Sequence, residues 1–427
     1  MITIVLFGVF AVLLLIGTPI AVCLGVSSVV AMIVQGAGRP LETVMSSLPM
    51  IVSASTSKFV LLAIPFFIFA GNIMEKAGIS GKLISLAEAC VGHIRGGLAI
   101  VCILVACFFA AISGSGPATV AALGVIVVPA MIKSGYKADF SAALMASAGA
   151  IGVIIPPSIT FVVYGSIADA SIGDLFKAGL VPGLIMGAAL LVVALVFGKK
   201  MKLKTLPKAS SKERWIAFKD AFWGLMMPVI ILGGIYGGIF TPTEAAAVSV
   251  VYGLFVGVFI YKKVKMKEFI QILTDTVSTT ATVMFITAAA SLFAYVLTRA
   301  RLDVAISSGL VKLTGGNVII FFIIINIILL IAGCFLDSTS ALFIFTPLFA
   351  PVAVALGVDL IHLGVVMIVN LAIGLFTPPV GVNLYVACGV GNVSLKQISK
   401  AVVSLILAAI VVLLIVTYIP KISLLFF

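Results

Sequence analysis

Apolar runs long enough to cross a bilayer follow one another through almost the whole chain, and only one stretch, Lys199 to Lys219, is strongly polar. Hydrocarbon offers no water to an unpaired backbone group, so such runs have to fold as helices that close their own hydrogen bonds. A span takes about 20 apolar residues, so the chain holds roughly a dozen membrane segments and has little length left for a soluble domain. The expected fold class is an all-α polytopic membrane protein. A composition 63% hydrophobic and 9% charged agrees.

The formal charge of +12 does not indicate nucleic acid, because the basic residues stand between apolar segments instead of alternating with aromatics along one surface. Cys23, Cys90, Cys102, Cys107, Cys334 and Cys388 lie singly in apolar stretches without metal-ligand spacing, and read as small core residues. Met1 to Ile16 lacks a basic n-region, and the apolar pattern resumes straight after Gly17-Thr18-Pro19. The segment is therefore expected to be retained, with the N-terminus outside the cytoplasm.

The basic stretch KKMKLKTLPKASSKERWIAFK carries eight basic residues and divides the chain into a first half, 1–198, a cytoplasmic linker, 199–221, and a second half, 222–427. The halves repeat weakly. A shift of 222 carries Pro129 to Pro351, Gly135 to Gly357, Gly152 to Gly374 and Pro156-Pro157 to Pro378-Pro379, while a shift of 223 carries Thr18-Pro19 to Thr241-Pro242. Each half parses in the same order: a pair of apolar segments, a span, a hairpin, an interrupted helix and a closing helix. In the first half these fall at 3–17 and 19–35, 57–74, 98–132, 139–168 and 180–198. In the second they fall at 222–239 and 243–261, 280–298, 317–356, 361–391 and 401–419.

If each hairpin enters and leaves on one side, every half crosses the membrane an odd number of times, so the second half is inverted relative to the first. With the linker inside, only Arg39, Lys58, Lys177, Arg299, Arg301, Lys312 and Lys421 of the 26 basic residues lie outside. That distribution satisfies the positive-inside rule. Both termini are then expected on the periplasmic side.

Four segments break helical geometry within apolar surroundings. Ser113-Gly114-Ser115-Gly116-Pro117 and Leu336-Asp337-Ser338-Thr339-Ser340 read as hairpin tips at membrane depth, and the double prolines after Gly152 and Gly374 unwind a helix about 40 residues beyond each tip. Unwound backbone cannot face lipid and must be buried in protein or line a wet cavity. Free carbonyls at half-helix ends suit Na⁺ and half-helix N-termini suit a carboxylate, so matched breaks in inverted halves point to a transporter with two cation sites. Taken singly, each break also reads as a proline kink in a packed helix. The matched positions favour a site, as does Asp337, an ionisable group in an apolar run.

Glu244, three residues after Thr241, reads as a capping residue. Arg299 and Arg301 beside Asp303 read as a solvated outer helix end. Asn383 and Thr160 offer hydrogen bonds either to a solute or to a neighbouring helix. His93 and His362 fall at connectors and read as solvated. Gly114-Ser115-Gly116 resembles a membrane-embedded nucleophile loop, but no histidine stands inside an apolar helix to activate a serine protease. No G-x-x-x-x-G-K-[ST] loop supports an ATP-driven pump. A channel or a free-standing ion-coupled anion carrier is the alternative to a partnered transporter.

At SGSGPATVAALG (Ser113 to Gly124), GVIIPPSI (Gly152 to Ile159), GIFTPTEAAA (Gly238 to Ala247) and LFTPPVGVNLYV (Leu375 to Val386), the chain resembles the large, DctM-like membrane subunit of tripartite ATP-independent periplasmic (TRAP) transporters. The resemblance covers essentially the whole chain. It implies two inverted repeats with two re-entrant helical hairpins and two discontinuous helices, working as an elevator-type transporter of the inner membrane. Residues 98–168 and 317–391 would form the mobile transport domain and the remainder the scaffold. The implied partners are a separate small four-helix membrane subunit and a periplasmic substrate-binding protein, with Na⁺ driving import of a carboxylate such as a C4-dicarboxylate, a sialic acid or a sugar acid. No organic cofactor and no enzymatic reaction are implied. The first Na⁺ site would use Ser113 with Gly152, Ile155 and Pro157, and the second Asp337 with Gly374, Thr377 and Pro379. The solute would lie near Ser115, Thr160, Asp337 and Asn383.

Overall fold

The computed structural model describes residues 2–199, 201 and 203–427; Lys200 and Lys202 of the basic stretch and the side chain of Asp303 lie outside the described residues. The first half begins with an antiparallel pair, α1 (Ile2–Leu15) and α2 (Ile20–Gln35), followed by α3 (Leu41–Met45), α4 (Leu48–Thr56), α5 (Ala63–Lys76) and α6 (Ile79–Val91). Then come a hairpin, α7 (Gly97–Ser113) and α8 (Gly116–Lys133), an interrupted helix, α9 (Ala138–Ala150) and α10 (Ile159–Ala168), and a long α11 (Ile172–Lys199). The second half runs α12 (Ser211–Tyr236), α13 (Pro242–Phe255), α14 (Met266–Arg299), α15 (Leu302–Thr314), α16 (Val318–Gly333), α17 (Ser338–Ala355), α18 (Leu360–Gly374), α19 (Val382–Gly391), α20 (Leu395–Ala401) and α21 (Val403–Tyr418).

Local chemistry sets these boundaries. Thr241 and Glu244 form a reciprocal capping box with Pro242 in the first turn of α13, as expected from the motif. Ser210 and Glu213 form another, so α12 begins inside the basic stretch and only the part before it is a connector. The chain leaves α8 and α17 through Gly135 and Gly357, at φ +100° and +73°, a conformation that favours glycine and stops each helix cleanly. Cys90 is exposed at the end of α6, contrary to its reading as a core residue, because α6 is amphipathic rather than buried all round.

The core is built from the interrupted helices. Phe140 through Ala150 of α9, Ile159 through Ser166 of α10 and His362 through Gly374 of α18 are buried continuously, as expected of helices apolar on every face. Each hairpin is embraced by one arm from either half: α8 packs on α9 and α19, while α17 packs on α18 and α10. Around this body, α5 lies against α13 and α14, and α14 carries α2 and also reaches α1, the ring of its Phe293 lying 5.7 Å from that of Phe7. Helices α11 and α21 pack on each other, on α18 and, through α11, on α7.

Among the described residues, seven helices are long and apolar enough to cross a membrane alone, or eight if α20 and α21, bent by 50°, are one span. The hairpin arm α7, the arms of the interrupted helices and α16 are shorter.

Candidate functional site

At the first tip, α7 ends at Ser113, Gly114 turns at φ +60° and Ser115 is extended before Gly116 and Pro117 start α8. The Ser113 and Thr119 hydroxyls lie 2.8 Å apart, and both also bond the Ser115 carbonyl, at 3.3 and 2.8 Å. The break after α9 leans on this tip. A Cβ on Gly152 would stand 3.0 Å from the Thr119 hydroxyl and 3.1 Å from the Ser115 carbonyl, and one on Gly114 would stand 3.1 Å from the Pro157 carbonyl. Ser113, Ser115, Thr119, Gly152 and Pro157 thus form one knot of hydroxyls and carbonyls, with Ile155 buried beside it. Oxygen donors alone are the set a hard cation takes. The break satisfies its own groups through Val153, whose carbonyl accepts from Ser158 at 2.7 Å and from Thr160 at 3.0 Å.

The second tip is built differently. Asp337 caps α17, its carboxylate accepting from the Ser340 amide at 3.1 Å and from the Ser340 hydroxyl. In the 222 register Asp337 stands where Ser115 does, and Phe335 stands in place of Ser113. Gly374 abuts the end of α16, where a Cβ would meet the backbone of Gly333 at 2.5 Å, and Gly381 donates to the Cys334 carbonyl at 3.3 Å. Thr377 donates its hydroxyl to the Ile373 carbonyl at 2.7 Å. Pro157 is buried but Pro379 is exposed, so the first break is sealed and the second is open.

Both tips face one cavity of about 230 Å³, into which Ser113, Ser115, Thr160 and Asp337 are gathered. The first residues of four helices also line it: Gly116 of α8, Ile159 of α10, Ser338 of α17 and Val382 of α19. A helix N-terminus carries unpaired amides and about half a positive charge, which at α17 the capping Asp337 carboxylate offsets. No Lys, Arg or His is among the lining residues. Gly152, Ile155, Pro157, Gly374, Thr377 and Pro379 are not among the residues that line it. Asn383 is fully buried, donating to the Ala146 carbonyl at 2.9 Å.

Sequence reasoning missed the far wall, which consists of Ile68, Gly71, Asn72 and Glu75 of α5 with Thr279 and Val283 of α14. An Asn and a Glu one turn apart near the end of a span were the available signal. Thr119 was missed as well, although it follows Ser113 by six residues on the next helix. His362 corrects the sequence reading: it lies in the first turn of α18, buried, with Nδ1 2.7 Å from the Ser423 hydroxyl and Nε2 3.2 Å from the Thr417 carbonyl. A long-range partner, not solvent, satisfies its ring.

Residues 7–422 match the family described as "Tripartite ATP-independent periplasmic transporter, DctM component". The chain is 45% identical over 423 residues to an isethionate TRAP transporter permease protein DctMQ of Oleidesulfovibrio alaskensis, using 99% of itself but spanning 66% of that protein. It is 46% identical over 370 residues to a C4-dicarboxylate TRAP transporter large permease protein DctM of Pseudomonas aeruginosa, covering 87% of this chain and 86% of that one. In fold it is similar to the YdaH transporter of Alcanivorax borkumensis, with TM-score 0.66 over 95% of this chain and 98% of that one at 12% identity.

Proposed function

The chain belongs to the DctM component family of TRAP transporters, the large permease proteins of these systems, and from that premise we propose that it couples inward Na⁺ flow to import of a small organic anion. The observation that carries this reading is the convergence of four helix N-termini on one cavity that has no basic side chain. Their amides suit a carboxylate or sulfonate, and C4-dicarboxylates and isethionate, the solutes named for the relatives, both fit that chemistry. Sialic acid and sugar acids belong to the same class.

The residues of the first break fit Na⁺: Ser113 supplies a hydroxyl, and Gly152, Ile155 and Pro157 supply carbonyls. Asp337 would serve the second ion with Gly374, Thr377 and Pro379, provided that its carboxylate turns from the Ser340 cap toward the break. Na⁺ on each side of the cavity would offset the charge of the solute, which gives the coupling its physical reason: the anion and the cations bind best together. Ser115 and Thr160 would contact the solute, with Asn383 supporting the first tip from behind.

From the family and from the charge distribution we further infer an elevator arrangement of inverted halves. In it, the hairpins and interrupted helices move as one body against a scaffold within the bacterial inner membrane, with both termini periplasmic. A separate small membrane subunit would cover part of the apolar outer face, and a periplasmic binding protein would deliver the solute. Proteoliposomes holding this chain with both partners should accumulate succinate, isethionate or N-acetylneuraminate only under an inward Na⁺ gradient. Accumulation that is indifferent to Na⁺, or that this chain achieves alone, would refute the coupled tripartite reading in favour of a free-standing carrier or channel.

A further inference from the structure

The central cavity has walls of opposite character. One is made by the hairpins and interrupted helices and presents four helix N-termini, three of them without a carboxylate and that of α17 capped by Asp337. The other is made by α5 and α14 and presents Glu75 in the last turn of α5, where the helix also carries its unpaired carbonyls. Glu75 is half-buried and, among the described residues, makes no hydrogen bond or ion pair, whereas Asp337 is occupied in capping α17. This wall is stiff. Asn72 donates to Thr276 at 3.0 Å, tying α5 to α14, and a Cβ on Gly71 would stand 3.2 Å from the Ile112 carbonyl, so α5 passes in backbone contact with the first tip.

The position along α5 supplies the direction. In the proposed orientation the chain runs from Lys58 outside through α5 to Lys76 inside, and the cavity meets α5 from Ile68 to Glu75, toward its inner end. Outward travel of the hairpins would carry the solute site past Ala63 to Ile68, a stretch without charge. A solute anion would therefore meet the Glu75 carboxylate only when the site faces the cytoplasm.

We propose that Glu75 is a release residue: a fixed negative charge on the immobile wall that weakens anion binding in the inward state alone, so that solute leaves toward the cytoplasm. This inference rests on the transport reading above and adds to it an asymmetry between the two sides of the membrane. The binding body is the same at both ends of its travel, and the wall it faces is not. The charge acts through space on the bound anion, so Glu75 sets affinity and need not touch the solute.

The test is trans-inhibition in proteoliposomes of the full complex, in which uptake of succinate, isethionate or N-acetylneuraminate, whichever is carried, is measured against increasing solute inside. Glu75→Gln should lower the internal concentration for half-inhibition about tenfold, the order expected for removing one nearby charge from a partly wet site. Turnover should fall and the external KM hold. Glu75→Asp should behave as the parent. Asn72→Asp, which replaces the amide donor by a carboxylate that accepts from the Thr276 hydroxyl and adds a second charge to the wall, should raise the half-inhibiting concentration by a similar factor, and it keeps the proposal testable if Glu75→Gln fails to assemble. Equal internal sensitivity in Glu75→Gln, Asn72→Asp and the parent would overturn the proposal. So would internal and external constants that shift together, since that marks a merely structural role. A parent complex that shows no Na⁺-driven uptake would instead refute the transport reading on which the proposal stands.

Discussion

Gly333 and Gly374 meet through their backbones, and neither can yield to a methyl group, since the atoms in the way are main chain and not the tip of a flexible side chain. Gly374→Ala should cost about 1–3 kcal/mol of stability, seen as a lower Tm of the purified complex. Gly389→Ala, on open helix surface with nothing within 4 Å, should not lower Tm and should raise it slightly, since alanine is the better helix former. At Asp337 two roles can be separated. Asparagine caps a helix as well as aspartate does, so Asp337→Asn should keep α17 intact while removing the charge, and Asp337→Ala should lose about 1 kcal/mol as well. Asp337→Asn should raise the Na⁺ concentration for half-activation of uptake at least several-fold; unchanged Na⁺ activation would remove Asp337 from the cation site. The special character of Asp337 was legible in the sequence because a carboxylate in an apolar run stands out. That of Glu75 was not, because a Glu beside Lys76 at the end of a span looks like an ordinary aqueous boundary.

At the scale of elements, the first tip and the two helix interruptions were legible because proline and glycine act locally, a double proline interrupting a helix whatever surrounds it, and the second tip because polar residues stand together in an apolar run. The elements that escaped are amphipathic rather than apolar. Helix α6 carries Lys82 and Glu88, and α15, which the 223 shift places over it, carries Lys312; neither shows a membrane-length apolar run. Helices α11 and α14 also begin well before their apolar stretches, because polar first turns continue the helix beyond the hydrophobic pattern. The partner of each helix was not readable at all. That α8 is clasped by α9 and α19 is a matter of long-range packing, which periodicity does not encode. One such contact has a consequence for movement: the Lys58 ammonium donates to the Ser166 carbonyl on α10 at 2.7 Å, linking the α5 wall to the interrupted-helix body. Lys58→Met should loosen that link. A cysteine placed by Ser166→Cys should then label faster from outside, and an unaltered rate would exclude Lys58 as a latch between the two bodies.

At the scale of the molecule, inversion of the halves is an argument from charge and from an odd number of crossings, and it can be checked on the chain itself. Lys204→Cys and Lys421→Cys, in a background lacking the exposed Cys90, should react with impermeant reagents from opposite faces of the membrane. Reaction from one face would undo the topology and with it the direction assigned to α5. We propose that the two tips form a single site exposed to one side at a time. It is tested most directly by measuring, from both faces of the same vesicles, the labelling of Ser115→Cys and Thr339→Cys with and without Na⁺ and solute. Both positions should change sides together, with protection on one face rising as it falls on the other. Labelling of either tip from both faces at once, or of one tip independently of the other, would contradict the proposal.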